Sequence, residues 1–268
     1  MYICPKCSCE LCRVNNSYKC VLGHSYDVAS SGYVNLILSS KKNAIHGDNK
    51  EMIDARRKFL SLGFYSAIPD ILYDLIRSYN NDRVIVLDAG CGEGYYTGAL
   101  SDKLKENADI YGIDVSKDGV LAAAKRYKDV KFAVASVNAL PFKDESFDVV
   151  LSLFAPLAEK EFYRVLKKDG IFITVSPSPR HLFGLKEKIY ESPYLNPITT
   201  FEPEMLTKLD EKIHSENIRL ASSEAIQALF KMTPYYYNTG KKDAEKLSEL
   251  SELDTEIGFV FGIYKKVN

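Results

Sequence analysis

Between residues 84 and 175 the chain alternates short β-branched and aromatic runs with stretches of helical period. The runs at 84–87, 110–113, 131–135, 147–153 and 171–175 read as strands. Most are apolar without alternation, as strands buried on both faces of a parallel sheet are. Segments 116–127 and 159–166 place apolar residues at helical spacing between them. Two further strands, 218–221 and an antiparallel 258–264, flank a helix at 223–231. The pattern predicts an α/β fold with a seven-stranded, doubly wound sheet. Functional groups in such a sheet gather where strands end, here at Asp88 to Gly94, Asp114, Ser136 to Leu140, Phe154 to Pro156 and Ser176 to His181.

Ahead of the sheet the pattern differs. Five of the six cysteines, Cys4, Cys7, Cys9, Cys12 and Cys20, fall in one short stretch, and His24 follows. In a reducing compartment such a cluster binds metal more readily than it forms disulfides. Cys4-Pro5-Lys6-Cys7 has the compact turn of a metal knuckle. With Cys20 and His24 it supplies three thiolates and one imidazole, a set suited to structural zinc. Cys9-x-x-Cys12 is a rival pair for the same places. A segment this short has little core, so the metal would supply much of its folding free energy. Next comes Gly32-Tyr33-Val34-Asn35-Leu36-Ile37-Leu38, then a polar linker. Asp48 and Glu51 form a capping-box-like start to a helix carrying Met52, Ile53, Phe59 and Leu60 and ended by Gly63. A second helix puts Ile68, Ile71, Leu72, Leu75 and Ile76 on one face. The expected units are a zinc finger at 1–40, a linker with packing helices at 41–82, and the sheet domain at 83–268.

Composition adds limits. A chain of 268 residues, 46% hydrophobic, buries one good core and a small appendage. It has no apolar run of the roughly 18–20 residues that span a bilayer, and its N-terminus lacks a signal peptide's apolar stretch, so we expect a cytoplasmic protein with no membrane partner. Net charge is −1, yet residues 1–58 carry nine Lys or Arg against five Asp or Glu. That puts any nucleic-acid contact at the front. Arg56, Arg57 and Lys58 suit phosphates or a solvated helix face equally.

The candidate chemistry lies at residues 84–98. An apolar strand ends in Asp88, and glycines alternate at Gly90, Gly92 and Gly94. Glycine there lets the chain turn tightly and lets bare backbone approach a ligand. Asp114 ends the next strand, twenty residues after Gly94, where an acid can accept hydrogen bonds from ribose hydroxyls. The dinucleotide spacing G-x-G-x-x-G is absent, since Tyr95 stands at its third glycine. Cys91 reads as a small apolar filler. The G-x-G-x-G run after Asp88 resembles motif I of class I S-adenosylmethionine-dependent methyltransferases, which implies that the loop cradles the methionine part of that cofactor. Two features depart from the common pattern. Ser136-Val137-Asn138 replaces the usual acid after the third strand. Phe154-Ala155-Pro156 replaces the (Asn/Asp)-Pro-Pro-(Tyr/Phe) motif of enzymes that methylate exocyclic amines.

A narrower resemblance rests on the finger with Gly32-Tyr33-Val34-Asn35-Leu36, Ala55-Arg56-Arg57-x-Phe59-Leu60, the glycine loop through Thr97, Ala122-Ala123-Ala124-Lys125-Arg126-Tyr127, Ala155-Pro156, Pro177-x-Pro179-Arg180-His181-Leu182 and Met232-Thr233-Pro234. Together these resemble the bacterial 23S rRNA (guanine-N1) methyltransferase family, RlmA, from end to end, thinning after about residue 185. The resemblance implies methyl transfer from S-adenosylmethionine to N1 of a guanine in a hairpin of 23S ribosomal RNA, by a homodimer. By position it implies zinc on Cys4, Cys7, Cys20 and His24, and cofactor contacts from Tyr65, Gly92, Glu93 and His181. Asp114 joins them from the ribose argument, and Asp88 and Gly90 from the loop. His181 and Glu93 are the candidates for a catalytic base, with Glu161 behind them, and none is assignable from sequence. Phe154, or Tyr235 to Tyr237, offers a ring to stack on the target base. Two other functions compete: a small-molecule methyltransferase, which has little use for a finger, and an RNA-binding assembly protein without turnover.

Overall fold

The computed structural model describes residues 1–38, 49–197 and 201–267. Three short antiparallel strands, β1 (Cys12–Val14), β2 (Ser17–Lys19) and β3 (Ser25–Asp27), form the N-terminal finger. The two-residue β4 (Val34–Asn35) follows. Helices α1 (Lys50–Leu60) and α2 (Ala67–Tyr79) lead into the sheet domain. There β5 (Val84–Ala89), α3 (Tyr95–Leu104), β6 (Ala108–Asp114), α4 (Lys117–Arg126), β7 (Lys131–Val134), β8 (Phe147–Leu153), α5 (Glu159–Val165) and β9 (Leu166–Pro177) succeed one another. After α6 (Phe183–Ile189) come β10 (Thr207–Leu220), α7 (Ser223–Lys231), two short helices α8 (Tyr235–Asn238) and α9 (Lys241–Lys246), and β11 (Leu253–Lys265).

The sheet order is β10-β11-β9-β8-β5-β6-β7-β4. Strands β4 to β9 of this sheet run parallel, and β11 runs antiparallel to both β9 and β10. The seven expected strands are all present, and β4 adds an eighth at the edge, pairing Val34 with Ala133 and Asn35 with Val134. Two residues are too few to show a period of two, so the pattern hid it. Strand β10 begins at Thr207, well before the expected 218, and pairs through to Lys265 of β11. Most of it is exposed and polar, so backbone pairing rather than an apolar stripe defines it. The helix before the sheet also starts elsewhere than expected. Asp48 lies outside the described residues, and Asn49 is the cap, its Oδ1 accepting from the Met52 amide at 3.0 Å.

Side chains of β5 alternate between two cores, as strand geometry requires. Val84 and Val86 join the cluster under α1, α2, α3, α4, α6 and α7, while Leu87 and Ala89 join the other. That second face is covered by α5 and by the finger. Tyr2, Cys4, Leu11 and Cys20 pack there with Tyr111, Phe142 and Phe147. The finger is also tied down by backbone, with the Ile3 amide donating to the Pro141 carbonyl at 2.9 Å.

Candidate functional site

The finger brings four ligand atoms to one point. The Sγ atoms of Cys4, Cys7 and Cys20 each lie 3.4 Å from His24 Nδ1, and those of Cys7 and Cys20 are 3.7 Å apart. Tetrahedral zinc, with bonds of about 2.3 Å to sulfur and 2.0 Å to nitrogen, sets ligand atoms roughly 3.5–3.8 Å apart. The donor set and its spacing therefore fit zinc. Two turns build it, with the Ser8 amide on Cys4 O at 2.8 Å and the Gly23 amide on Cys20 O at 3.0 Å. The Tyr26 hydroxyl lies 3.3 Å from Cys4 Sγ, an outer partner of the kind that orients a ligand. Cys12 is exposed and Cys9 half-buried, and neither joins the group.

At the carboxyl ends of the strands the chain encloses a cleft of about 1720 Å³. Sites for one small molecule occupy about 300–1,000 Å³, so this one has room for a cofactor and a second ligand. Tyr65, Gly90, Gly92, Glu93, Asp114 and His181 all line it, together with finger residues Ile3, Cys4, Pro5 and Ser8. Gly90 has φ +103°, and a Cβ there would sit 2.5 Å from the Ala155 Cβ. The loop therefore passes the end of β8 closer than any side chain would allow. Asp114 accepts from the Gly92 amide through Oδ2 at 3.0 Å and from the Ser116 amide through Oδ1 at 2.7 Å. The carboxylate is thus oriented at its strand end, as ribose recognition needs.

Asp88 lies beneath the loop rather than in the cleft wall, 1% exposed. Its Oδ2 accepts from the Thr97 hydroxyl at 2.5 Å, and Oδ1 is buried without a partner among the described residues. Burial lifts this carboxyl to about 7. Burial also raises Glu93, against the pull of Arg57, Arg126 and Arg56. Concentrated acid beneath bare glycine backbone suits a ligand that is itself cationic. S-adenosylmethionine, with its sulfonium and ammonium groups, meets that requirement.

His181 is held from both sides. The Gly258 amide donates to Nδ1 at 3.2 Å, so the neutral ring carries its hydrogen on Nε2. That nitrogen lies 3.2 Å from the Tyr65 hydroxyl. Burial, with the charge of Lys186 adding, pushes the imidazole down to about 4, so it is neutral at physiological pH. Glu161 is bonded to Arg164 at 2.8 and 2.9 Å and accepts from the Leu140 amide, fixing the loop under the finger. Phe154 has φ +53°, uncommon for a bulky residue, and its ring is 43% exposed in the cleft wall. Of Tyr235 to Tyr237, Tyr235 alone lines the cleft, and its hydroxyl donates to Asn196 Oδ1 at 2.9 Å.

Sequence reasoning passed over the brace behind His181. Asn196 Nδ2 donates to the carbonyls of Ser178 and His181 at 3.0 and 2.9 Å. The fully buried Lys186 donates to Asn196 Oδ1 at 2.7 Å and to the Tyr194 carbonyl at 3.0 Å. A lysine on a short helix and an asparagine in an unpatterned stretch carry no signal of this.

A family profile described as "Methyltransferase domain" matches residues 80–248, and one described as "RlmA, N-terminal" matches residues 2–44. A Bacillus subtilis protein named "Putative 23S rRNA (guanine-N(1)-)-methyltransferase YxjB" is 34% identical over 270 residues, covering 96% of this chain and 94% of its own. The 23S rRNA (guanine(748)-N(1))-methyltransferase of Streptomyces fradiae is 31% identical, over 69% of this chain and 66% of its own. A Micromonospora griseorubida protein named "Putative 23S rRNA (guanine-N(1)-)-methyltransferase" is 31% identical, over 69% of this chain and 68% of its own. The catalytic body with its glycine loop and the zinc ribbon docked on its second face are the two parts those profiles describe, and the chain belongs to the RlmA family of 23S rRNA (guanine-N1) methyltransferases.

Proposed function

We propose that the cleft seats S-adenosylmethionine along the glycine loop and a guanine of a 23S rRNA hairpin between Phe154 and the finger, for methylation at N1. The observation that carries this is one shared cavity: finger residues Ile3, Cys4, Pro5 and Ser8 form the wall of the same space that Gly90 and Gly92 line. When bound, S-adenosylmethionine supplies an electrophilic methyl group. Asp114 takes the ribose, Gly90 and Gly92 leave room for the chain of the molecule, Glu93 favours its positive charges, and Asp88 holds the loop from beneath through Thr97. Phe154 offers a ring face on which an extruded base stacks. Its neighbour Ala155 brings no carbonyl-bearing side chain, which fits a ring nitrogen better than an exocyclic amine.

Guanine N1 must lose its hydrogen. His181 has no lone pair to receive it, because Nδ1 accepts from Gly258 and Nε2 bears the ring hydrogen. We therefore read His181 as a positioning residue that fixes Tyr65 against the cofactor. Glu161 is committed to Arg164. Alignment of N1 with the donor carries most of the acceleration, and the proton leaves to solvent through the open cleft. A homodimer in the cytoplasm belongs to the same reading. Support comes from the exposed edge of β10, where Ile213 is 62% exposed, and from a thiolate site that needs reducing surroundings.

Zinc-loaded protein, labelled S-adenosylmethionine and 23S rRNA test the reading directly. Label should enter one guanine and arrest primer extension there, because an N1 methyl blocks base pairing. Label without arrest, or none, is the opposing result. Sedimentation of the same preparation tests the dimer.

A further inference from the structure

Two exposed arginines from different helices stand beside one buried acid. Glu93 lines the cleft and is 3% exposed. Burial raises its carboxyl, and the charges that pull hardest the other way are those of Arg57 and Arg126. Arg57 lies in the last turn of α1 and Arg126 in the last turn of α4, and the two helices pack together. Lys58 and Lys125, their chain neighbours, are exposed as well. None of the four side chains is hydrogen-bonded or ion-paired to another among the described residues, and the exposed Asp54, one turn before Arg57 and Lys58, pairs with neither. The Arg126 guanidinium lies over the Tyr127 ring, 5.2 Å from its centroid, which restrains a side chain that would otherwise lose more entropy on binding. Tyr95, which also feels the charge of Arg126, lines the cleft with Glu93.

Taken singly, each basic turn needs no more explanation than the helix dipole. Two such turns meeting at one rim do, because gathered like charges repel one another and attract a polyanion. The acceptor that has to reach this cleft is a polyanion, whose affinity comes largely from phosphates neutralised by Lys and Arg.

Resting on the rRNA reading above, we propose that Arg57 and Arg126, with Lys58 and Lys125 beside them, form a phosphate-binding rim where the RNA strand crosses the Glu93 side of the cleft. Such a rim holds backbone and sets register, while the choice of base stays with the cleft.

Filter binding of protein-free 23S rRNA to the zinc-loaded full chain, repeated across potassium chloride concentrations, reads the rim. Each phosphate neutralised adds about 0.7 to the slope of log affinity against log salt on single strands, and about 0.9 on duplex. Arg57→Gln and Arg126→Gln should each flatten the slope by about that amount, and the double variant by about 1.4–1.8. The double variant Arg57→Lys with Arg126→Lys should keep the slope, since lysine also binds phosphate. Lys168→Gln, exposed near the amino end of β9 and so at the far end of the sheet from the cleft, should keep it too. Unchanged slopes in the glutamine variants overturn the proposal, leaving two solvated helix ends. Equal flattening by Lys168→Gln also overturns it, because binding then follows surface charge wherever it lies. If the wild type neither binds nor methylates 23S rRNA, the rRNA reading falls as well, an outcome distinct from the other two.

Discussion

Replacing Tyr2 by alanine tests whether docking of the finger serves the RNA rather than the donor. Tyr2 is 4% exposed, and its ring stacks on Phe142 with centroids 5.1 Å apart. It also meets Tyr18 and Tyr111 edge-on at 5.3 and 5.9 Å. Truncating a buried aromatic costs about 3–5 kcal/mol. Of the two aromatic partners on the body, Tyr111 belongs to β6 and Phe142 to the loop before β8, so much of that loss falls on the finger–body contact. Zinc keeps the finger's own fold. At about 1.4 kcal/mol per factor of ten, the docked form loses roughly 10²- to 10³-fold against the undocked one. The assay pairs donor affinity by calorimetry with methyl transfer into 23S rRNA and metal content by mass spectrometry. We expect zinc and donor affinity to be retained and kcat/KM toward rRNA to fall by at least about tenfold. Undiminished methylation, or parallel loss of donor affinity, would refute this division of labour.

Chelation should act on the same axis more completely. Removing zinc unfolds the finger, ends rRNA methylation and leaves donor binding in the sheet domain; retained methylation in verified zinc-free protein would contradict the site. Phe154→Ala should lower kcat/KM for rRNA by roughly 10- to 100-fold, the worth of about 1–3 kcal/mol of base stacking, with donor affinity unchanged. Asp88 and His181 give stability terms of opposite sign. Burial lifts Asp88 to about 7 from 3.8, so its contribution is complete below the lower value and lost as pH rises through the upper. His181 is pushed down to about 4 from 6.5, so its contribution is complete above 6.5 and lost as pH falls through 4. In urea titrations from pH 7 to 4, Asp88→Asn should therefore lose stability relative to wild type, and His181→Gln should gain it; curves parallel to wild type would show that neither group is shifted.

What the sequence disclosed depended on how local each signal is. The glycine loop, Asp114 and the zinc quartet are set by spacing along the chain, and the fold brings them together at those spacings. The apolar strands of the parallel sheet were legible because burial on both faces leaves continuous runs. Strand β10 was largely hidden, since an exposed edge needs only backbone pairing and tolerates its Lys, Asp and Glu. The docking of the finger was hidden for a different reason. Tyr2, Tyr111 and Phe142 are isolated aromatic positions far apart in the chain, and nothing periodic marks them as one cluster. The run at 56–58 was ambiguous in sequence because a charge run is the same whether solvated or turned inward; only the half-burial of Arg56 beside Gly92 separates the cases.

The arrangement also explains why one residue family can use a generic donor loop for a specific acceptor. The glycine loop follows β5 and Asp114 ends β6, both within the stretch that the methyltransferase-domain profile matches. The finger side of the cleft is built from parts outside those two strands, the finger and the 140–143 loop clamped by Arg164, while Asn196 and Lys186 brace the His181 turn behind Tyr65. Each brace is buried or saturated with hydrogen bonds, so it sets shape without competing for the ligand. Lys186 has a further electrical effect, because its charge helps hold His181 neutral. A neutral imidazole beside Tyr65 does not repel a cationic donor, whereas a protonated one would. Loss of the Lys186 charge should therefore raise the His181 pKa, while burial, the larger cause, continues to hold the ring toward its neutral form.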